Sequence, residues 1–236
     1  MPNMKNKRSK IYLLIFFLLF KIMVSQQNYD SLSNLNMPNG FFSAYKGSKV
    51  GLLNSKKKVV IPICFDDISP AEHQYFIVST HNSLGLVSKD GKFILDTIYS
   101  SIWSDIGQFF IVEKGDEKGL FHFNGTWVLP LKPGILQVEE FIFSGCYILK
   151  QSGKCGIINK KGQFLVPVQY DNIKDFSESN LISESYALIQ LGDKWGVINK
   201  KGKWILAPVF SRVEVQPDGR VVKAYCESGN VNVTLD

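Results

Sequence analysis

Gly51, Gly85, Gly119, Gly156 and Gly196 form a series with separations of 34, 34, 37 and 40 residues, and the same residue types recur in phase around each. Six residues after the glycine come Lys57, Gly91, Gly125, Gly162 and Gly202. Eleven after it come Pro62, Asp96, Pro130, Pro167 and Ala207, the last followed by Pro208. Fourteen after it come Phe65, Tyr99, Pro133, Tyr170 and Phe210, and seventeen after it Ile68, Ile102, Leu136, Ile173 and Val213. Ten before it stand Phe41, Tyr75, Phe109, Cys146 and Tyr186. Five copies in phase mean one small supersecondary unit used repeatedly, each copy hiding its apolar face against its neighbours.

The unit reads as strands. The chain has five alanines against thirty aromatic residues, which leans away from helical bundles. In the clearest copy an apolar strand ends before the turn Gly192-Asp193, a second runs from Trp195 to Asn199, and a third from Lys203 to Leu206. The turn Asn199-Lys200-Lys201-Gly202 suits a hairpin whose glycine takes positive φ. The proline that follows is expected to end the third strand, and a short fourth strand to lie around Phe65 to Ile68 and its equivalents. The third strands carry Phe93-Ile94-Leu95, Trp127-Val128-Leu129, Phe164-Leu165-Val166 and Trp204-Ile205-Leu206. Apolar on both faces, they are expected to be covered on both faces by neighbouring units. The expected fold is all-β: three- to four-stranded antiparallel meanders stacked as a propeller-like or open superhelical array.

The stretch Lys154-Cys155-Gly156-Ile157-Ile158-Asn159-Lys160-Lys161-Gly162 matches Lys194-Trp195-Gly196-Val197-Ile198-Asn199-Lys200-Lys201-Gly202. This resembles the WG repeat family, over about residues 41 to 236. Trp195-Gly196 keeps the dipeptide, while Val50, Leu84, Lys118 and Cys155 replace the tryptophan elsewhere. The resemblance implies an interaction scaffold and attaches no activity. The expected structural positions of the motif are Gly51, Gly85, Gly119, Gly156, Trp195 and Gly196, each glycine admitting a ring or a backbone against its strand. Units are expected at about 41–74, 75–108, 109–145, 146–185 and 186–221, with a partial unit at 222–236 that keeps one hairpin. Residues 26–40, polar and turn-rich, read as a leader without a strand, which favours an open or loosely closed array capped by the partial unit.

The formal charge of +6 comes largely from one end. Lys5, Lys7, Arg8, Lys10 and Lys21 account for five of 27 basic residues, and the remaining 22 face 21 acidic ones. A near-neutral body lacks the footprint expected of a nucleic-acid binder. The basic start, the apolar run Ile11 to Phe20 and the small Ser25 have the layout of a secretory signal over residues 1–25, with cleavage expected after Ser25. The address is then secreted, periplasmic or cell-surface, with the membrane met only through that segment; an uncleaved anchor is the alternative. Export would permit disulfides, but the spacing of Cys64, Cys146, Cys155 and Cys226 selects no pairing, and free buried thiols are favoured over a disulfide.

No nucleophile elbow, phosphate loop, dinucleotide fingerprint or metal-ligand spacing occurs in the sequence. His73, His81 and His122 fall at different phases and are expected at the surface or in hairpins, and Asp66, Asp67 and Asp171 in turn-forming roles. No catalytic residue, cofactor or metal is expected. The feature that suggests binding is the set eight residues after each glycine: Val59, Phe93, Trp127, Phe164 and Trp204. Such a ladder is either core between units or an aromatic stripe for sugar rings or a peptide. The expected function is a non-catalytic scaffold for an unknown protein or polysaccharide partner. The alternative is a carbohydrate-active enzyme using non-repeating residues such as Asp105, His122, Glu139 and Glu140.

Overall fold

The computed structural model describes residues 28–35, 40–104, 107–140, 145–175, 186–216 and 221–235. The proposed signal segment and Asp105 lie outside them. Among the described residues the chain forms a tandem series of antiparallel sheets. The first contains β1 (Ser31–Asn34), β2 (Phe42–Lys46), β3 (Lys49–Leu53) and β4 (Val59–Phe65). The second contains β5 (Asp67–Ala71), β6 (Tyr75–Thr80), β7 (Ser83–Ser88) and β8 (Phe93–Tyr99). The third contains β9 (Ser101–Trp103), β10 (Phe109–Lys114), β11 (Glu117–His122) and β12 (Thr126–Pro133). The fourth contains β13 (Leu136–Glu140), β14 (Cys146–Gln151), β15 (Lys154–Asn159) and β16 (Phe164–Tyr170). The fifth contains β17 (Asn172–Asp175), β18 (Tyr186–Leu191), β19 (Lys194–Asn199) and β20 (Trp204–Phe210), and the sixth β21 (Arg212–Val215), β22 (Val221–Cys226) and β23 (Gly229–Thr234). Every sheet is a meander in chain order.

The chain divides after Ile102 into two compact units. In the first, Leu52, Ile61 and Phe65 pack against Phe76 and Val78 of the next sheet. In the second, Ile111 and Leu120 meet Val138 and Leu149; Ile157 and Val166 meet Ile189 and Ile198; Val197 and Leu206 meet Val222 and Ala224. A side chain such as Ile198, 0% exposed, contributes about 1.5–3 kcal/mol by leaving water. Each of these clusters is shared by two successive sheets, and a smaller one of Ala44, Leu53 and Ile63 lies within the first sheet.

The sheets are phased one strand earlier than the sequence units. Each third strand runs on through Phe65, Tyr99, Tyr170 or Phe210, and the short strand expected beside it opens the following sheet instead. The stretch read as a strandless leader contributes β1, whose Ser31–Asn34 pairs with Phe42–Tyr45. Its signal was present: Tyr29-Asp30 repeats Tyr170-Asp171, and Asp30 accepts a hydrogen bond from the Gly47 N–H at 2.9 Å, as Asp171 does from Gly192 at 2.7 Å.

The proline does not end the third strand. Val50 pairs with Phe65 and Leu52 with Ile61, so a short stretch of β3 faces a longer one of β4 and the excess around Pro62 bulges. The same shift places Pro167 and Pro208 in bulges. These are outer strands of their sheets, so a missing N–H leaves no ladder bond broken. The motif glycine stands opposite. A Cβ on Gly196 would lie 2.6 Å from the Leu206 carbonyl oxygen and 2.7 Å from the Pro208 nitrogen; one on Gly51 would lie 2.7 Å from the Ile63 nitrogen. The glycine therefore admits the bulged backbone, while the aromatic residue fourteen positions on pairs with its neighbour, Trp195 with Phe210 and Cys155 with Tyr170.

The strand covered on both faces is the second of each hairpin pair, not the third. Leu52-Leu53, Leu86-Val87, Ile157-Ile158 and Val197-Ile198 are buried throughout, whereas Phe164 and Trp127 on outer strands are exposed. The expected positive-φ turn glycines are present, with Gly162 and Gly202 both at φ +76°. Asn199 Oδ1 accepts from the Lys201 and Lys203 N–H groups at 3.0 Å and closes that turn.

Candidate functional site

The aromatic ladder divides into two kinds of residue. Phe93 lies on Phe65 of the preceding sheet at 6.1 Å between ring centroids, and Trp204 lies on Tyr170 of its preceding sheet at 5.9 Å. These two are half-buried seam residues, whereas the half-buried Val59 packs on Ala44, Leu53 and Ile63 of its own sheet. Trp127 lies edge to face with Phe121 of its own sheet at 5.1 Å and passes over Gly119; it is 39% exposed. Phe164 is 43% exposed. The sequence sees one column, but the relation to the preceding sheet decides which rings meet solvent.

A cleft of about 230 Å³ opens in the second unit. Its apolar wall is formed by Phe109, Ile111, Leu120, Leu136 and Val138, with Trp103, Gln137 and Glu139 completing the lining. Trp103 ends β9 and Leu136–Glu139 lie on β13, and both are edge strands of their sheets. Trp103 is 38% exposed, while Phe109 and Leu120 behind it are buried. Sequence reasoning did not select Trp103. The signal lay in its column, where the other copies carry Ser69, Gln137, Lys174 and Glu214. A tryptophan among polar equivalents does not serve the repeat itself.

The acid–base candidates are not gathered together. Glu139 accepts from Lys150 Nζ with both carboxylate oxygens at 2.9 Å. Glu140 is the next residue on the same strand, so its side chain leaves by the opposite face. His122 is buried at the head of its hairpin turn, where the Gly125 N–H donates to its carbonyl at 2.9 Å, unlike the exposed His73 and His81. Its Nδ1 accepts from the Asn124 N–H at 2.9 Å while Nε2 donates to the Lys160 carbonyl at 3.0 Å, so both ring nitrogens are engaged within the protein. The four cysteines are free thiols. No group of three or more His, Cys, Asp or Glu able to hold a metal occurs among the described residues.

Asp66 and Asp171 join sheets. Asp171 takes Lys154 of the preceding sheet at 2.5 Å and the N–H of Gly192 in a hairpin turn of the next sheet; Asp66 takes Lys49 and the His81 N–H in the same way. The lysine hydrogen bond first, and the backbone N–H second, hold both carboxyls below their ordinary range. The Lys-x-Gly and aromatic-Asp elements of the repeat are thus two halves of one junction.

No curated protein matches the chain. Among solved structures, it is similar to a eukaryotic initiation factor at 11% identity, covering 85% of this chain and 61% of that one, with a TM-score of 0.31. It is also similar to Hsv2p of Kluyveromyces lactis at 11% identity, covering 84% and 71%, with a TM-score of 0.28. For the dihydro-heme d1 dehydrogenase NirN the figures are 14% identity, 84% and 52% coverage, and a TM-score of 0.29. Likeness at that level assigns no activity. The WG containing repeat model matches residues 51–82, 156–195 and 195–215. Those matches carry the motif glycine and the bulge described above, followed by Asp66, Asp171 or Ser211, and over them the chain is built of WG containing repeats.

Proposed function

We propose that this protein is a non-catalytic binding scaffold of the cell exterior, secreted, periplasmic or surface-held, whose repeats carry a site for a protein or polysaccharide. The observation that carries the reading is the cleft behind Trp103. An exposed indole beside a buried apolar wall has the composition of a small recognition site. It suits one ring or one apolar side chain of a larger partner. The engagement of His122 and Glu139 within the protein supports a binding role over acid–base chemistry.

The test is a glycan and peptide array probed with the exported protein and with Trp103→Ala. Binding that the variant loses, with the urea midpoint retained, is the expected result. Signals unchanged by Trp103→Ala, or silence on both arrays, would remove the reading. N-terminal sequencing of exported protein should begin at Gln26; recovery only from the cytoplasm would remove the proposed address.

A further inference from the structure

The near-neutral charge of the body conceals a segregation that the fold creates. The second hairpin turn of the fourth sheet carries Lys160 and Lys161, and that of the fifth carries Lys200, Lys201 and Lys203. All five lysines are exposed, and neither turn contains a carboxylate. None of the five joins an ion pair among the described residues, whereas Lys150, Lys154 and Lys194 do. The turns are held side by side: Gly202 sits against the backbone of Leu165, which follows the first turn's Gly162 by three residues. The first unit brings Lys56, Lys57 and Lys58 beside Lys89 and Lys92 through Gly91 against Val60, but there Asp90 interrupts the patch.

We infer that the paired turns of the fourth and fifth sheets bind an acidic polysaccharide, with lysines on its carboxylates and Phe164 on a sugar face. Phe164 opens the strand after the first turn, three residues from Lys161, and its ring is 43% exposed. Carboxylates spaced along a sugar chain ask for repeated point charges, which lysine supplies. A uronic-acid chain also offers Phe164 a sugar face to stack on, which a phosphodiester headgroup does not. Asn199 Oδ1 and the glycines fix the turn backbones, so the lysines project from a rigid base. The inference rests on the scaffold reading and names a partner class for a surface separate from the Trp103 cleft.

The probe is polygalacturonate, with fully methyl-esterified polygalacturonate as the uncharged form of the same chain. Binding by the full protein at low ionic strength, falling as salt rises, is expected for the free acid and not for the ester. Lys200→Gln/Lys201→Gln/Lys203→Gln should weaken it about ten-fold or more, while Lys46→Gln/Lys114→Gln/Lys132→Gln, which removes equal charge elsewhere, should change it less than about two-fold. Equal losses in the two triple variants, or no binding to the free acid, would overturn the inference. Tighter binding to phosphatidylglycerol vesicles or to single-stranded DNA than to polygalacturonate would overturn it as well. Trp103→Ala should leave polygalacturonate binding intact. Array signals that depend on Trp103 while polygalacturonate fails to bind would remove this inference and leave the scaffold reading standing.

Discussion

The carbonyl oxygen of Leu165 lies 2.7 Å from the point where a Cβ on Gly202 would stand. The turn glycine therefore answers two demands at once. Its φ of +76° opens the hairpin, and its missing side chain lets the turn rest on the preceding sheet. Lys57 holds the same column in the first copy at φ +58°.

Gly202→Ala should lower stability by about 2 kcal/mol or more, combining left-handed strain with displacement of Leu165. Lys57→Gly should raise it by about 0.5–1 kcal/mol, because there only the backbone strain is relieved. Urea midpoints at unchanged m-value check both, and a shift of the same sign in the two variants would contradict the account.

The motif glycines should differ in their tolerance of alanine. Around Gly196 the nearest atoms are all backbone, at 2.6 to 2.8 Å, whereas at Gly119 the nearest is the Trp127 ring at 2.7 Å, with Leu129 and Leu131 backbone at 3.0 and 3.1 Å. A ring end moves more cheaply than a bulged strand. Gly196→Ala should cost about 3 kcal/mol and Gly119→Ala about 1 kcal/mol. Thermal or urea unfolding that ranks them in the other order would rule out the bulge as the reason for the glycine.

Acid should weaken the sheet junctions. Asp66 and Asp171 have folded pKa values lowered first by Lys49 and Lys154 and then by the His81 and Gly192 N–H groups. A depressed folded carboxyl contributes in full above the ordinary unfolded range and ceases to contribute as pH falls through the depressed value. Asp66→Asn/Asp171→Asn should therefore be less stable than the parent at neutral pH, with the gap closing on acidification and narrowing with salt. Urea titrations across pH check this. A gap that stays constant into acid would show that the charges do not act.

His122→Leu should cost about 2 kcal/mol through the unpaired Asn124 N–H and Lys160 carbonyl. It should leave glycan and peptide binding unchanged once folding is restored by cooler conditions. A variant with parental stability but lost binding would return His122 to the list of functional residues.

Strands, turns and their order were legible because they rest on local chemistry: the apolar runs, the Asn-Lys-Lys-Gly turn and the spaced glycines. The phase of the sheets was less accessible, since Asp67–Ala71 joins Tyr75–Ser79 by main-chain hydrogen bonds that side chains do not announce. Ser31–Asn34 was hidden in the same way, apart from the Tyr29-Asp30 pair ahead of it. Pro62 misled because its cost depends on which edge of the strand it faces. The candidate site lay furthest from the sequence. Trp103 and Val138 meet only after two separate meanders are stacked, and no periodicity within one copy records that meeting.

Asp66, Asp171 and Ser211 each stand alone between the last strand of one sheet and the first of the next. A single-residue hinge leaves no slack: one inserted residue would turn the following strand inside out relative to its hairpin. Drift among the copies is accordingly confined to places such as the interval between Asp175 and Tyr186, and a graft or tag placed there stands to spare the fold where one at Asp171 would not.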